Sequence, residues 1–453
     1  MTENRKNIET FEQRIDQIEK LIKGSQASEI RDFLRKVDPE DIAEILGEFS
    51  LENKLLIFNA LEPDNAAVVL DDTDSRTRLQ LLQKIDSNRL AQVLDEMPVD
   101  EVADVVEDVP ENEREDILDL IEKEDAEEVE EILSYPEDSA ARVMNPEFIS
   151  VTESEDVEHA IEHIRGFEVD EEIFYVYVVN SAKRLKGIVS IGRLLTVPKG
   201  TLIKDIFDSE IHSVVADEDQ EKAAMIMKKY DLVSLPVVNE DGGLIGRITV
   251  DDIIDVMDEE RGEDISRMTG TIEEEQGTET AYKAAKNRFP WLVTCMLGSI
   301  VTGLVIRMYQ ITLTETIALV SFIPVITATG GNSGVQASTV VVREIALGSM
   351  NFSRIWDEVW RQFKVALSLG AICGIILTGL TNFWIKNSLI GVIVGISIFL
   401  VVVWSNFVGV VTPVIFRKIK IDPAIASGPL ITTLNDVIGV LIYLNIATLM
   451  LGK

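Results

Sequence analysis

LIGVIVGISIFLVVVWSNFVGVVTPVIF, residues 389–416, contains no Asp, Glu, Lys or Arg. A helix needs about 20 apolar residues to cross hydrocarbon, so this run reads as a membrane span. Four more can be drawn around it: Trp291–Tyr309, Ile317–Val342, Val365–Phe383 and Ala424–Met450, each at least 19 residues long. The remaining sequence has the opposite character. From Trp291 onward the chain has ten Lys/Arg and six Asp/Glu, a net of +4, whereas the first 290 residues carry a net of −40. The second half suits lipid and the first suits water.

The basic residues orient the spans. Lys283, Lys286 and Arg288 precede the first span, Arg343, Arg354, Arg361 and Lys364 fall between the second and third, and Arg417, Lys418 and Lys420 between the fourth and fifth. The other side has Arg307, Lys386 and Lys453. Basic loops stay inside, so the N-terminus is expected in the cytoplasm and the C-terminus outside, in a multi-pass bacterial inner-membrane protein. The first thirty residues are charged, and no cleavable signal is expected. Strong acidity argues against nucleic acid. Cys295 and Cys373 lie in apolar runs and read as packed side chains rather than a disulfide or zinc pair.

Two spans are too polar to be plain lipid-facing helices. The second contains Phe322-Ile-Pro-Val-Ile-Thr-Ala-Thr-Gly-Gly-Asn-Ser-Gly-Val-Gln-Ala-Ser-Thr339. Pro324, Gly330, Gly331 and Gly334 are expected to loosen or break it, in the manner of backbone that lines a cavity; close helix packing through small residues is the competing reading. The fifth span carries Asp436 near its middle, in Pro429-Leu-Ile-Thr-Thr-Leu-Asn-Asp-Val-Ile-Gly439. A carboxylate at that depth costs about 2.5–3.5 kcal/mol on insertion scales. No Lys or Arg lies in the central part of any span, so a cation from solution is its natural partner. Carboxylate, amide, hydroxyl and carbonyl oxygens suit a hard cation, and Mg2+ is often held through its water shell. Chemistry alone does not separate Mg2+ from Ca2+, Mn2+ or Co2+.

The acidic half begins with a repeat. Ala43-Glu-Ile-Leu46, Ala67-Val-Val-Leu70 and Ala91-Gln-Val-Leu94 recur every 24 residues, with Ala103-Asp-Val-Val106 and Glu130-Glu-Ile-Leu133 as variants. Asp38-Pro39, Glu62-Pro63, Met97-Pro98 and Val109-Pro110 punctuate short helices, as in a small solenoid. Asp100 and Asp104 stand four apart on one helix face, which by itself reads as solvated. Two βαββα units follow. One contains Phe174-Tyr-Val-Tyr-Val-Val179 and Leu185–Leu195; the other contains Leu235-Pro-Val-Val238 and Leu244-Ile-Gly-Arg-Ile-Thr-Val-Asp-Asp-Ile-Ile254, with Gly187 matching Gly246. This pattern resembles a tandem pair of CBS domains. That resemblance implies a compact unit; many such pairs bind an adenosine nucleotide such as ATP, with Thr249 and Asp252 at the matching positions, and a purely structural use of the pair is the competing reading. His159 and His163 are spaced for a metal but lack a third ligand, and read as an exposed face. Asp251–Arg288 reads as a stiff, charged helix leading into the first span, with Gly262, Gly270 and Gly277 as points of interruption.

Together these features resemble the MgtE family of magnesium channels. The resemblance covers essentially the whole chain in the same order: acidic helical repeats, a CBS pair, a connecting helix, and five spans bearing Thr329-Gly-Gly-Asn-Ser-Gly334 and Leu434-Asn-Asp-Val-Ile-Gly439. The expected fold is therefore multidomain: a helical lead at 1–27, an all-α superhelical domain at 28–140, an α+β CBS pair at 141–258 (divided near 199/200), a connecting helix at 259–289, and a five-helix pore domain at 290–453. The resemblance implies a non-enzymatic homodimer in the bilayer, with one pore on its two-fold axis and Mg2+ as substrate and regulator. Asp436 is then the ion-selecting carboxylate, with Gly331, Asn332, Thr339, Thr432 and Asn435 around the path; at Val335 many members carry Asn. The implied regulatory acids are Asp100, Asp104, Asp231, Asp252, Asp255, Glu260, Glu263 and Asp264.

Charge suggests how they act. Clustered carboxylates repel when magnesium is scarce, and bridging divalent ions favour a compact state that closes the pore. Two rival readings remain open on the sequence: a cation-coupled carrier, which usually shows repeated halves, and a membrane-anchored sensor without transport. No nucleophile–base set, P-loop or zinc motif points to an enzyme.

Overall fold

The computed structural model describes residues 11–24, 27–166, 173–271, 281–346, 355–426 and 428–452. Arg354, Lys453, Gly277 and the first ten residues of the expected helical lead lie outside this set. The chain divides into two compact units, Met1–Asp258 and Glu259–Lys453.

The first unit opens with short helices between Phe11 and Ser134. The 24-residue repeat corresponds to Pro39–Leu46, Pro63–Asp72 and Ser87–Leu94, which bury Ile42, Ala43, Ile45, Leu46, Ala66, Ala67, Val69, Leu70, Leu90, Val93 and Leu94. Pro39 and Pro63 occupy first helical positions rather than the gaps between helices. The missing N–H is harmless there, and the fixed φ starts the turn. A short helix cannot bury its apolar face alone, so neighbours share one core.

Two three-stranded sheets follow. In the first, β1 (Ser150–Thr152) runs parallel to β2 (Tyr175–Val179), which pairs antiparallel with β3 (Leu185–Ser190). The second repeats this with β4 (Val214–Val215), β5 (Ser234–Val238) and β6 (Leu244–Thr249). Gly187 faces Val178 and Gly246 faces Val237. Both glycines are needed because a chain crosses over them: a Cβ on Gly246 would stand 2.9 Å from the Asn145 carbonyl oxygen, and one on Gly187 would meet the Asp208 carbonyl and the Phe207 ring. Tyr177 joins the sheets by an Oη···Ser234 Oγ hydrogen bond of 2.8 Å.

The segment leaving the solenoid runs along the second sheet, not the first. Ala140 N–H donates to Glu218 O and Ala141 N–H to Ala216 O, and Asn145 exchanges backbone hydrogen bonds with Arg247. The solenoid, the second sheet and Ile253 and Val256 of the following helix therefore share one apolar core. The first sheet keeps a separate core around Val151, Val176, Val189 and Leu194.

That following helix begins at Val250 and ends at Thr269. Gly262 leaves it intact, and Gly270 ends it with φ of +76°. In the second unit, Ala281–Met308, Ile317–Ile345, Ile355–Ile385, Ser388–Lys418 and Gly428–Met450 are long and apolar enough to cross a membrane. The fourth is the central one, buried over 56% of its most apolar stretch against 17% for the first and third. The expected break in the second span does not occur. After a 3-10 turn at Ile317–Phe322, an α-helix runs unbroken from Ile323 to Ala346. Pro324 falls in its first turn, where no N–H is required. Gly330, Gly331 and Gly334 stay helical and are buried against neighbouring helices, as in close packing through small residues.

Candidate functional site

Asp436 sits on the fifth span, half-buried, across from a backbone rather than a side chain. A Cβ on Gly331 would stand 3.1 Å from Thr432 Cγ2 and 3.9 Å from Asp436 Oδ1. Gly331 thus opens space beside the carboxylate, and Thr432, one turn before Asp436, closes the same contact. The Thr432 hydroxyl donates to Gly428 O at 3.0 Å. On the second span Asn332, Gln336 and Thr339 are exposed. At roughly 100° per residue they fall within a sector of about 60°. A polar stripe of this kind is costly against lipid. Gln336 belongs to it, although sequence reading did not single it out; its one-turn offset from Asn332 is the signal. Asn435 differs from its expected place on the path. It is 1% exposed, pressed against Gly334 and Ile431, and its side-chain amide makes no hydrogen bond.

The acids expected to be regulatory form two groups, one in each unit. In the first unit Asp104 and Asp71 are within electrostatic reach of each other, and Asp71 also feels Asp72, Asp255 and Asp252. Asp104 keeps accessible surface although protein atoms crowd its carboxyl. Loss of surrounding water, then Asp71, raises its carboxyl to about 7, against the pull of Arg78 and Arg142. Burial raises Asp71 to about 6, opposed by Arg78. Arg78 also holds the end of the Pro63–Asp72 helix, donating to Leu70 O at 2.9 Å and to Asp71 O, and pairs with Asp108 at 3.1 Å. Asp100, one turn before Asp104, is buried rather than solvated. Burial also raises Asp252 and Asp255. Asp252 Oδ2 accepts from Thr249 N–H at 2.9 Å and from Thr249 Oγ1 at 2.6 Å, a capping box for the helix that starts at Val250. The two residues matched to nucleotide binding are therefore bonded to each other.

In the second unit Arg267 pairs with Glu263 and Asp422. Burial, then Asp422 and Glu260, pushes Asp264 up to about 6. Asp231 stands apart from both groups of interactions, exposed at the end of the Gln220–Tyr230 helix with φ of +52°. His159 binds Asp156 on an exposed helix face, as expected. Among the described residues, no three His, Cys, Asp or Glu side chains are gathered closely enough to hold a metal ion as they stand. Asp71, Asp72 and Asp422 are the additions to the expected acids. Apart from the adjacent pair Asp71 and Asp72, each is remote in sequence from the carboxylates it meets, so only tertiary folding reveals it.

Three family models cover most of the chain: the divalent cation transporter MgtE at residues 323–446, the MgtE intracellular N domain at 37–138, and CBS domains at 140–200 and 203–259. The magnesium transporter MgtE of Bacillus subtilis is 35% identical over 318 residues, 70% of each chain. That of Thermus thermophilus is 36% identical over 329 residues, 71% of this chain and 72% of its own. A crystal structure of the cytosolic domain of the Mg2+ channel MgtE in complex with ATP covers 53% of this chain and 98% of its own, at 31% identity and a TM-score of 0.51. A crystal structure of the soluble part of a magnesium transporter covers 55% of this chain and 99% of its own, at 28% identity and a TM-score of 0.50. With its helical N domain, its CBS pair and its five membrane helices, the chain belongs to the MgtE family of magnesium transporters.

Proposed function

We propose that this protein is a channel for Mg2+ uptake, closed by Mg2+ that accumulates inside the cell. The observation that carries this reading is Asp436, a carboxylate at mid-membrane beside Gly331, with no Lys or Arg in the central part of any span. One carboxylate cannot hold a doubly charged ion for passage. Two, brought together on the axis of a homodimer, can bind an ion that keeps most of its water. The exposed stripe Asn332, Gln336 and Thr339 then faces the partner copy and the water-filled path. Thr432 borders the carboxylate, and Asn435 supports it from behind. The N-terminus is cytoplasmic and the C-terminus extracytoplasmic, as the basic loops require. We retain the divisions at 28–140, 141–258, 259–289 and 290–453.

The regulatory step follows from the two acid groups. Asp71, Asp104, Asp252 and Asp255 have carboxyls raised chiefly by burial, with Asp71 adding to the shift of Asp104, and Asp252 and Asp255 to that of Asp71. Glu260, Glu263 and Asp264 are a second such set beside Asp422. Mg2+ is a hard, oxygen-seeking ion and fits both. Asp100 and Asp231 remain proposed ligands. Moving a gate from 1:99 to 99:1 takes about 5.5 kcal/mol of differential binding, and several weak ions can supply it together. An adenosine nucleotide at the CBS pair would have to engage the Thr249–Asp252 pair or displace it; the cytosolic domain similar to this one was crystallised in complex with ATP.

Magnesium flux into liposomes containing the purified protein tests the pore. Flux that disappears in Asp436→Ala is expected; unchanged flux moves the ion site elsewhere, and no flux in the wild type at low internal Mg2+ favours a sensor without transport. Neutralising Asp252, Asp255 and Glu260 together is expected to keep the channel open at high internal Mg2+, and normal closure in that variant removes the sensing role.

A further inference from the structure

The third and fourth spans enclose a groove of about 510 Å³ that the ion path does not use. Its walls are Trp356, Val359, Trp360 and Phe363 of the third span and Phe407 and Val410 of the fourth. Its size falls in the range of small-molecule sites, roughly 300–1,000 Å³. The Trp360 and Phe363 rings stack at 5.3 Å and 11°, forming one continuous aromatic wall. Trp356 is 77% exposed, Trp360 59% and Phe407 48%. The groove therefore opens outward, along a helix face that in this membrane protein meets lipid.

The groove is polar at the end where Asp357 lies, and the amides of Gln362 and Asn406, which donate to Glu358 and Ser333, also line it. Asp357 lines it beside Trp356, within the first turn of the third span. The neighbouring acid is already engaged: Glu358 accepts from Arg361 Nε at 2.6 Å and from Gln362 Nε2 at 2.8 Å. On the fourth span, Val410, Val414 and Lys418 follow one another at four-residue intervals on a single face. Val410 and Val414 pack with Ile355 and Val359, so the exposed Lys418 extends that face past the groove's polar end. A carboxylate thus stands at the end of an aromatic trough, where tryptophans mark the headgroup level, and Lys418 lies two turns beyond Val410 on the fourth span. A second copy is not the occupant this arrangement suits. The polar stripe assigned to the partner lies on the second span, and the fourth span stands between it and the third.

We propose that this groove binds one diacyl phospholipid with a primary-amine headgroup. An acyl chain lies along the aromatic wall, the ammonium donates to Asp357, and the phosphate meets Lys418. A quaternary headgroup has no N–H to donate, and an anionic one meets Asp357 unfavourably. The proposal rests on the membrane reading of the second unit and is independent of gating and of Asp436.

The test places the full-length protein in bilayers doped with brominated phosphatidylethanolamine, phosphatidylcholine or phosphatidylglycerol, and follows tryptophan quenching. Wild type minus the Trp356→Phe/Trp360→Phe variant isolates the groove signal among the chain's five tryptophans. The hydrogen bond to Asp357 that only the primary amine can donate corresponds to about fivefold in relative affinity, so phosphatidylethanolamine should exceed phosphatidylcholine by about that factor. Asp357→Asn should abolish the preference, and Lys418→Gln should weaken both lipids. Each variant's melting temperature checks that it remains folded. Equal quenching by all three lipids, a preference for phosphatidylglycerol, or a preference that survives Asp357→Asn overturns the proposal.

Discussion

Gly374 and Gly379 lie five residues apart on the third span, and the same substitution should act on them in opposite directions. A Cβ on Gly374 would stand 2.8 Å from the Gly395 carbonyl oxygen of the fourth span, whereas one on Gly379 meets nothing within 4 Å. Ordinary contact begins near 3.4 Å, so Gly374→Ala forces the two helices apart by about 0.6 Å. The obstacle is a backbone oxygen held in a helix, which cannot rotate aside. A gap of that size forfeits about a quarter of the dispersion energy at each atom pair along the seam. Overpacking of this kind costs about 1–3 kcal/mol. Gly→Ala in a helix also gains about 0.5–1 kcal/mol in propensity, but both variants share that gain. Their difference therefore isolates packing at about 1–3 kcal/mol. For a unit of this size, at about 2–4 °C per kcal/mol, Gly374→Ala should melt roughly 2–12 °C below Gly379→Ala. The assay is thermal loss of the monodisperse peak in detergent, with Mg2+ flux as a parallel readout. Neither glycine faces Asp436, so flux should persist in both. Coincident melting would refute the close backbone contact between the third and fourth spans.

Two further outcomes concern the acidic half. Asp104 and Asp71 have folded pKa values of about 7 and about 6, well above the roughly 3.9 of an unfolded Asp. Between these limits the folded state binds more protons, so stability falls as pH rises through the folded values and is regained on acidification toward 4. Thermal melts of the protein in metal-free buffer from pH 8 to 5 should show rising stability, and Asp104→Asn should flatten the slope between pH 6 and 8. Asp231 closes its helix with φ of +52°, a conformation glycine adopts without a Cβ clash. Asp231→Gly should stabilise the fold by about 0.5–1 kcal/mol, read as a higher melting temperature; a lower one would mean that the carboxylate holds the turn.

Much of the architecture was legible because its signals are local. Charge-free runs such as 389–416 announce spans, and the repeated Pro39 and Pro63 announce a division into short helices, though they sit inside the helix starts rather than between helices. The second span shows where such reading stops. A glycine that breaks a helix and a glycine that lets a neighbour approach look alike in sequence; the difference lies in Val401, Ser405 and Asn435, which come from other spans. The same holds for charge. Asp436 was legible because an acid at mid-span is conspicuous. Asp71 and Asp422 were not, because dozens of acids surround them in the list of residues and only folding selects the few that meet. Asp100 and Asp104 were visible as a pair, but the burial of Asp100 and the crowding of Asp104 depend on the helices packed around them.

The core shared by the solenoid and the second sheet also grips Ile253 and Val256, near the start of the helix that runs to Thr269. Thirteen residues extend beyond Val256, about 20 Å at 1.5 Å per residue. Such a helix is a crank arm, held at its start by that core as a bearing and carrying the Arg267–Asp422 pair near its end. A tilt of about 5° at the bearing carries the far end through about 1.7 Å, enough to register between close-packed elements. Glu260, Glu263 and Asp264 ride on the arm, whereas Asp252 and its Thr249 clasp sit at the pivot. Cations at the pivot would set the angle of the arm, and cations along it would set where it comes to rest.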